Sequence, residues 1–172
     1  MTGTTATSPE SITRRPATLS GGLSLVVGSL VLVLGALVSV PAIGPGVLGV
    51  TSLGLAVTYG RRRLADLGGV GLLLATVAAG LSGSELLTLG CAVGAVLAWD
   101  LANNAIELGE QLGRETDTSR AELVHAGATL GVGLVTAGTS YVIYRSATGG
   151  QPVTAVFFLL LAAVALISSL RI

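Results

Sequence analysis

The sequence predicts an all-α protein that crosses a membrane as a bundle of six transmembrane helices. Of its 172 residues, 51% are hydrophobic and only 10% are charged, and the mean hydropathy is +0.84. Soluble domains carry about 25% charged residues, so a soluble fold is excluded. Long uncharged runs alternate with short polar loops, which is typical of a multi-pass protein. The formal net charge is zero, so we expect a lipid bilayer around this chain and no nucleic acid partner.

The predicted spans follow from uncharged runs close to the ~20 residues that cross a bilayer. Residues 1–18 are rich in Thr, Ser and Pro and predict a disordered cytoplasmic tail, and residues 19–172 form the transmembrane domain. The prolines and glycines of residues 41–46 predict a turn after the first helix. The approximate spans are 19–40, 43–59, 64–81, 86–105, 121–144 and 153–170.

The fourth helix is predicted to continue beyond the membrane as one rod to Arg114, extending roughly 13 Å into the cytoplasm. Its apolar residues recur at steps of four, three and four, so one face stays apolar after the span ends. The fifth helix is expected to begin at a capping box formed by Ser119 and Glu122, so that Glu122 caps its own helix. The recurring apolar residues of the fourth helix are Leu101, Ala105, Leu108 and Leu112.

The distribution of arginine predicts the orientation. With six spans and both termini in the cytoplasm, eight of the nine basic residues are cytoplasmic and Arg145 alone is outside, in agreement with the positive-inside rule. Omitting the short second span would move the Arg61–Arg63 loop outside, so the rule also favours six spans. We expect the plasma membrane as the location. The eight cytoplasmic arginines are Arg14, Arg15, Arg61, Arg62, Arg63, Arg114, Arg120 and Arg171.

Small residues at steps of four predict where helices pack closely, because helices in lipid associate where backbones can approach. The third, fourth and fifth helices carry such series and are expected to form the centre of the bundle, whereas the sixth is expected to face lipid. The series are Gly71, Ala75, Ala79 and Gly83, then Gly90, Gly94, Ala98 and Ala102, and finally Gly127 and Gly131.

A polar stripe on the fourth helix is the candidate functional region, together with the single histidine of the chain. An ionisable group within a span is costly and marks a functional site by default. Three interpretations stay open: a helix that emerges into water with solvated side chains, a docking surface for a partner, or an ion or solute site around Asp100. The candidate residues are Asp100, Asn103, Asn104, Glu107, Glu110, Gln111, Arg114 and His125.

Glu122 and His125 have the Glu-x-x-His spacing of helical di-metal sites, but such sites need two of these motifs and further carboxylates. With one histidine in the chain, we expect no metal and no cofactor. His125 is instead expected near Asp100 across the hairpin of helices four and five, where the pair would be sensitive to pH. We find no motif that joins a nucleophile to a base, so we predict no catalytic residues and no enzymatic activity.

The segment from Ala98 to Glu115 and on to His125 resembles an uncharacterised family of haloarchaeal multi-pass membrane proteins. The resemblance covers most of the membrane region. Members are often encoded near a MoxR-type AAA ATPase, so the resemblance implies an archaeal plasma membrane and a role in assembly with such a partner. No activity is assigned to the family, and no catalytic or binding residues are implied.

These observations predict a non-enzymatic membrane protein that anchors or assists a membrane-associated complex through residues 99–125. The alternative is a small transporter or channel with a polar site near Asp100 and His125. A transporter requires these side chains to face a cavity within the membrane. A scaffold requires an exposed surface between Glu107 and Glu122 and a tightly packed interior.

Overall fold

The computed structural model describes residues 16–82, 85–112 and 118–146, and all regular structure in these ranges is helical. Five helices are long and apolar enough to cross a bilayer, which indicates a membrane protein. The second of these spans, Val40–Tyr59, includes a short 3₁₀ turn before the helix. Each coincides within a few residues with a predicted span. The helices are α1 (Thr18–Val38), α2 (Ile43–Tyr59, after a 3₁₀ turn at Val40–Ala42), α3 (Arg62–Gly80), α4 (Glu85–Leu112) and α5 (Ser119–Ser146).

The predicted sixth span, residues 153–170, lies outside the described residues, so the structure gives five spanning helices and not six. Residues 1–15 of the predicted tail also lie outside them. The end of that tail was misassigned, because Thr18 begins α1 and the Ala17 N–H donates to the Ala105 carbonyl of α4 at 2.8 Å. The helical domain therefore begins before residue 19.

Helix α1 has large apolar side chains on its outer face and small ones on its inner face. Val26, Leu30 and Val33 are exposed, whereas Ser20, Gly28 and other small residues are buried. A soluble helix has the opposite pattern, because water and not lipid contacts its outer face. The small inner residues let backbones approach, which is the usual packing mode of transmembrane helices.

The backbones of α2 and α3 approach each other closely. A Cβ on Gly49 would lie 2.8 Å from the backbone nitrogen of Leu72, and a Cβ on Gly71 would lie 2.8 Å from the Gly49 Cα. Neither neighbour can move as a side chain could, so only glycine fits at these positions. The second predicted helix, the shortest of the six, is therefore packed closely against the third.

The centre of the bundle is formed by α1 to α4, which corrects the prediction that α5 belongs to it. Helix α4 packs against α1 and α3, and α3 packs against α2. The interior contains Leu53, Leu72 and Ile106 among small residues. A Cβ on Gly127 or Gly131 of α5 would meet no described atom within 4 Å, so these two glycines mark no close contact with the described helices. The spacing of Gly127 and Gly131 predicted close packing of α5, but a glycine series does not indicate whether another helix lies next to it.

The connections of α2 differ from the predicted turn at residues 41–46. Pro41 lies in the 3₁₀ turn, and α2 already begins at Ile43, so Pro45 is in its first turn. Proline is tolerated there because the first N–H groups of a helix have no intrahelical acceptor. At the other end, Gly60 closes α2 with a φ of 64°, a left-handed conformation that favours glycine.

Helix α4 contains 28 residues and runs unbroken to Leu112, past the expected end of its span. At 1.5 Å per residue it is about 42 Å long, whereas the hydrocarbon core of a bilayer is about 30 Å thick. About 12 Å of α4 therefore exceeds that thickness, close to the predicted extension, although Arg114 lies outside the described residues. Helix α5 also has 28 residues.

The chain divides into two compact units, residues 1–137 and 138–172, with the division inside α5. The first unit contains α1 to α4 and the first five turns of α5. Of the second unit, the structure describes residues 138–146, which are helical.

One end of the first unit, which we call the arginine end, brings together four segments: residues 16–20, 60–63, 104–112 and 118–122. A Cβ on Gly60 would lie 3.8 Å from Pro16, and Arg62 forms an ion pair with Glu110 at 2.9 Å. Arg61, Arg62, Arg63 and Arg120 all belong to this end. The start of α1, the α2–α3 loop, the end of α4 and the start of α5 therefore share one side.

Candidate functional site at the α4–α5 hairpin

Asp100 of α4 is the centre of a polar cluster that joins α4 to α5. Its Oδ2 atom lies 2.7 Å from Nε2 of His125 and accepts a hydrogen bond from the Thr129 hydroxyl at 2.9 Å. His125 and Thr129 are four residues apart on α5 and therefore share one face of that helix. The proximity of His125 to Asp100, predicted from the hairpin, is confirmed.

This cluster lies at the edge of the α4–α5 interface, where its side chains are partly exposed. The side chains of Asp100 and His125 are 33% and 41% exposed. A carboxylate in a span is costly unless it is hydrogen-bonded, and two donors on one oxygen reduce that cost. Both donors converge on Asp100, so the imidazole is directed toward the carboxylate and not toward the Thr129 hydroxyl. The arrangement can hold a proton or stabilise the helix pair.

Glu122 forms the second connection of α5, and it reaches a different helix. Its carboxylate is buried, with the residue 3% exposed, and accepts hydrogen bonds from the Ser20 backbone N–H of α1 and from the Thr118 hydroxyl. The first N–H groups of a helix lack intrahelical acceptors and carry partial positive charge. Ala17, at the N-cap position of α1, gives no side-chain cap. Glu122 of α5 therefore caps α1, and the prediction that it serves its own helix was incomplete.

Backbone and side-chain bonds connect the start of α1 to α4 beside this cap. The Asn104 amide donates to the Ser20 hydroxyl at 3.2 Å, and the Ser24 hydroxyl donates to the Ala98 carbonyl at 2.6 Å. The Ser20 hydroxyl thus accepts a hydrogen bond from Asn104 of α4, and the Ser20 backbone N–H donates one to Glu122 of α5. The three helices α1, α4 and α5 meet at this residue.

The predicted stripe is divided between two faces of α4. Asp100 and Asn104 contact α5 and α1, as described above. Glu110 is directed toward Arg62 of α3, and the Asn103 amide donates to the Trp99 carbonyl within α4 at 3.1 Å. The described residues of the stripe therefore do not all face the same neighbouring helix.

The remaining stripe residues lie toward the end of α4. Glu107 and Gln111 are exposed, and the Gln111 amide donates to the Glu107 carboxylate at 3.0 Å. Arg114 lies outside the described residues.

Three contributors to the site were missed from sequence. Thr129 follows His125 by four residues, a spacing that a search for a shared helix face would have found. Ser20 is 102 residues from Glu122, and no local signal connects them. Asp66 of α3 accepts a hydrogen bond from the Trp99 indole at 3.0 Å, a contact that joins α3 to α4.

The Glu-x-x-His spacing of Glu122 and His125 does not converge on one point. Glu122 is directed toward α1 and His125 toward α4. Within residues 16–82, 85–112 and 118–146, no three His, Cys, Asp or Glu side chains are grouped as metal ligands would be. The motif here serves two helix contacts.

A shallow depression runs along the outside of α5 next to this cluster. His125 forms part of its wall, so the cluster and the depression share one side chain. Its lining residues are Arg120, Ala121, Val124, His125 and Ala128.

Comparison with known proteins identifies a family and no characterised relative. No curated protein and no solved structure matches the chain. One family model, described as a family of unknown function (DUF7519), matches residues 14–167 and therefore includes all five described helices and the site. The chain belongs to DUF7519, a family of unknown function.

Proposed function

We propose that this chain is a non-enzymatic, multi-pass protein of the plasma membrane that anchors or assists a membrane-associated complex through residues 99–125. The observation that carries the proposal is the division of polar side chains at the α4–α5 hairpin into an internal set and an exposed set. The internal set joins helices, and the exposed set presents charged side chains at the surface.

The internal set consists of Asp100, Asn104 and Glu122, whose side chains bond to neighbouring helices. A substrate site in a transporter would leave such groups to bind the substrate. Their engagement with other helices favours a structural role within the bundle. The scaffold interpretation requires this tightly connected interior. Glu122, which was expected on the exposed surface, is buried, so the exposed surface does not extend to it.

The exposed set lies at the arginine end and carries both signs of charge. Glu107 and Gln111 are exposed on α4, and the ion pair of Arg62 with Glu110 is about half exposed. Charge patterns of this kind orient a partner and determine specificity more than they contribute affinity. A cytoplasmic protein with a complementary pattern is the proposed partner.

The orientation that this requires has both termini in the cytoplasm and six spans, including residues 153–170. Support comes from the positive-inside rule, because the Arg61–Arg63 loop shares one end with the starts of α1 and α5. The excess length of α4 then extends into the cytoplasm. By the resemblance described above, the membrane would be that of a haloarchaeon and the partner would belong to a MoxR-type AAA ATPase system.

The test is crosslinking and affinity capture from native membranes with variants that invert the exposed charges. Glu107→Arg inverts one charge. The double variant Arg62→Glu with Glu110→Arg inverts two charges but keeps their mutual attraction, so the bundle retains its ion pair. Glu85→Gln, at the opposite end of α4, is the control. A stoichiometric partner should be captured by the wild type and the control and lost with both inverted proteins.

Capture of the same partner by every variant, or of none by the wild type, would contradict docking at this surface. The second candidate function, a small transporter or channel, would then be favoured by the partly exposed Asp100–His125 pair. Its test is ion or solute flux into proteoliposomes, which Asp100→Asn should abolish. Equal flux in the wild type and the variant would exclude a transport role for this pair.

A further inference from the structure

The depression on the outside of α5 has the geometry of a groove between two rows of side chains. Arg120, Val124 and Ala128 form one row at steps of four, and Ala121 and His125 form the neighbouring row. We call it the α5 groove. It has a volume of about 720 Å³ and is open along its length. Ligand sites have volumes of roughly 300–1,000 Å³, so the groove can hold part of a ligand.

The polarity of the α5 groove changes along its length. Arg120 is exposed in the first turn of α5 and has no ion-pair or hydrogen-bond partner among the described residues. One turn further along lies Val124, which is 66% exposed, and Ala128 follows after another turn. The groove from Arg120 to Ala128 covers about 12 Å of helix, with a cation at one end and an apolar surface from Val124 to Ala128 at the other.

A phospholipid has the same arrangement, because its ionised phosphate is followed by an apolar hydrocarbon chain. Helix α5 is apolar enough to cross a bilayer, and its N-terminal turn belongs to the arginine end. In the proposed orientation, Arg120 lies at the level of the lipid headgroups and Ala128 lies at the level of the upper acyl chains. Arginine binds phosphate oxygens with two parallel hydrogen bonds, and anionic lipids concentrate at the cytoplasmic surface.

We propose that the α5 groove binds an anionic phospholipid, with the phosphate on Arg120 and the upper acyl chain along Val124 and Ala128. This inference rests on the proposed orientation but not on the docking of a protein partner. Because His125 lines the groove and bonds to Asp100, a bound lipid contacts the residue that connects α5 to α4. The lipid therefore supports the helix pair that carries the proposed docking surface.

The experiment is native mass spectrometry of the purified protein in detergent, with phosphatidylglycerol and phosphatidylcholine of identical chains as the two probes. The wild type should retain phosphatidylglycerol in preference to phosphatidylcholine. Arg120→Gln should retain about fivefold less, the factor expected for one basic side chain near an anionic surface. Arg63→Gln is the matched control, because Arg63 is also exposed at the arginine end but lies outside the groove.

A second variant separates the groove from the charge. Ala128→Trp fills the apolar part of the groove and leaves Arg120 intact, so it should also lower retention of phosphatidylglycerol. Inorganic phosphate should compete weakly, because it lacks the chain. Equal retention by the wild type and Arg120→Gln, or equal losses in Arg120→Gln and Arg63→Gln, would overturn the proposal. Unchanged retention in Ala128→Trp, or full competition by phosphate, would overturn the role of the chain. Circular dichroism reports whether each variant is folded, because Ala128→Trp adds a second tryptophan to Trp99.

Discussion

Removal of the Glu122 carboxylate should destabilise the start of α1, because this group of α5 caps α1 although it is 102 residues away from Ser20 in sequence. In Glu122→Ala the Ser20 N–H, on a residue that is 0% exposed, loses its acceptor. An unsatisfied buried donor costs about 1–3 kcal/mol. Loss of a negative charge at a helix N-terminus costs a further ~0.3–1 kcal/mol. We therefore expect a loss of about 1–4 kcal/mol in the free energy of unfolding.

Glu122→Gln separates the two contributions. Glutamine keeps an oxygen that can accept from Ser20 but has no charge, so we expect a loss of only about 1 kcal/mol. Glu107→Ala is the control, because Glu107 is exposed and bonds within its own helix. Its effect should be within about 0.5 kcal/mol, as for other surface changes.

The assay is equilibrium unfolding in mixed micelles, followed by circular dichroism and by the fluorescence of Trp99, the single tryptophan. Because Trp99 contacts Asp66 of α3, its fluorescence reports the α3–α4 contact independently of helix content. If Glu122→Ala unfolds at the same denaturant concentration as Glu107→Ala, the assignment of Glu122 as the cap of α1 is wrong.

Two further predictions concern the remaining contacts. A double-mutant cycle of Asp100→Asn and His125→Gln, measured by the same unfolding assay, should give a coupling of about 0.5–1.5 kcal/mol, as for other interhelical hydrogen bonds in membranes, and a value near zero would contradict the contact. Gly49→Ala should lose about 1–3 kcal/mol of unfolding free energy because its Cβ would overlap the Leu72 backbone, whereas Gly44→Ala, with no described neighbour within 4 Å, should be neutral or stabilising.

The helix boundaries were predictable because each depends on local sequence. The Arg61–Arg63 loop marks where α2 ends and α3 begins, and the recurrence of apolar residues after Asp100 identified the continuation of α4. The contact of Asp100 with His125 was predictable as well. Consecutive helices pack side by side, which placed His125 next to α4. The register was less predictable, because Asp100 lies 12 residues before the end of α4 and His125 only 6 residues after the start of α5.

The arrangement of helices around one another was not predictable in the same way. Gly71 of α3 and Gly94 of α4 lie at close contacts as their series predicted, but the partner of Gly71 is α2 and the partner of Gly94 is Val31 of α1. Gly90 of the α4 series meets no described atom within 4 Å, and Gly83 of the α3 series lies outside the described residues. A series of small residues reports that a neighbour can approach and contains no information on which helix does so. The cap on α1 shows the same limit, because Glu122 and Ser20 lie 102 residues apart.

Helix α5 bonds to α1 and α4 through polar side chains, and this attachment bears on both the proposed docking surface and the α5 groove. Glu122 is its one buried residue, and many of its large apolar side chains, such as Val132 and Val135, are exposed. Glu122, His125 and Thr129 bond to α1 and α4, and the three residues lie on one face of α5 at steps of three and four.

Polar attachment has a consequence in a membrane that apolar packing does not have. Lipid competes equally with apolar side chains, but it offers no hydrogen-bond partner to Asp100 or Glu122 once α5 moves away. Each bond therefore fixes the position and rotation of α5, although each contributes only about 0.6–2 kcal/mol. A helix fixed in rotation presents a constant outer face, which the α5 groove requires, and a constant N-terminal turn, which a docking partner at the arginine end requires. A loss of these bonds should therefore weaken lipid retention and partner capture together, whereas inversion of Glu107 should weaken partner capture alone.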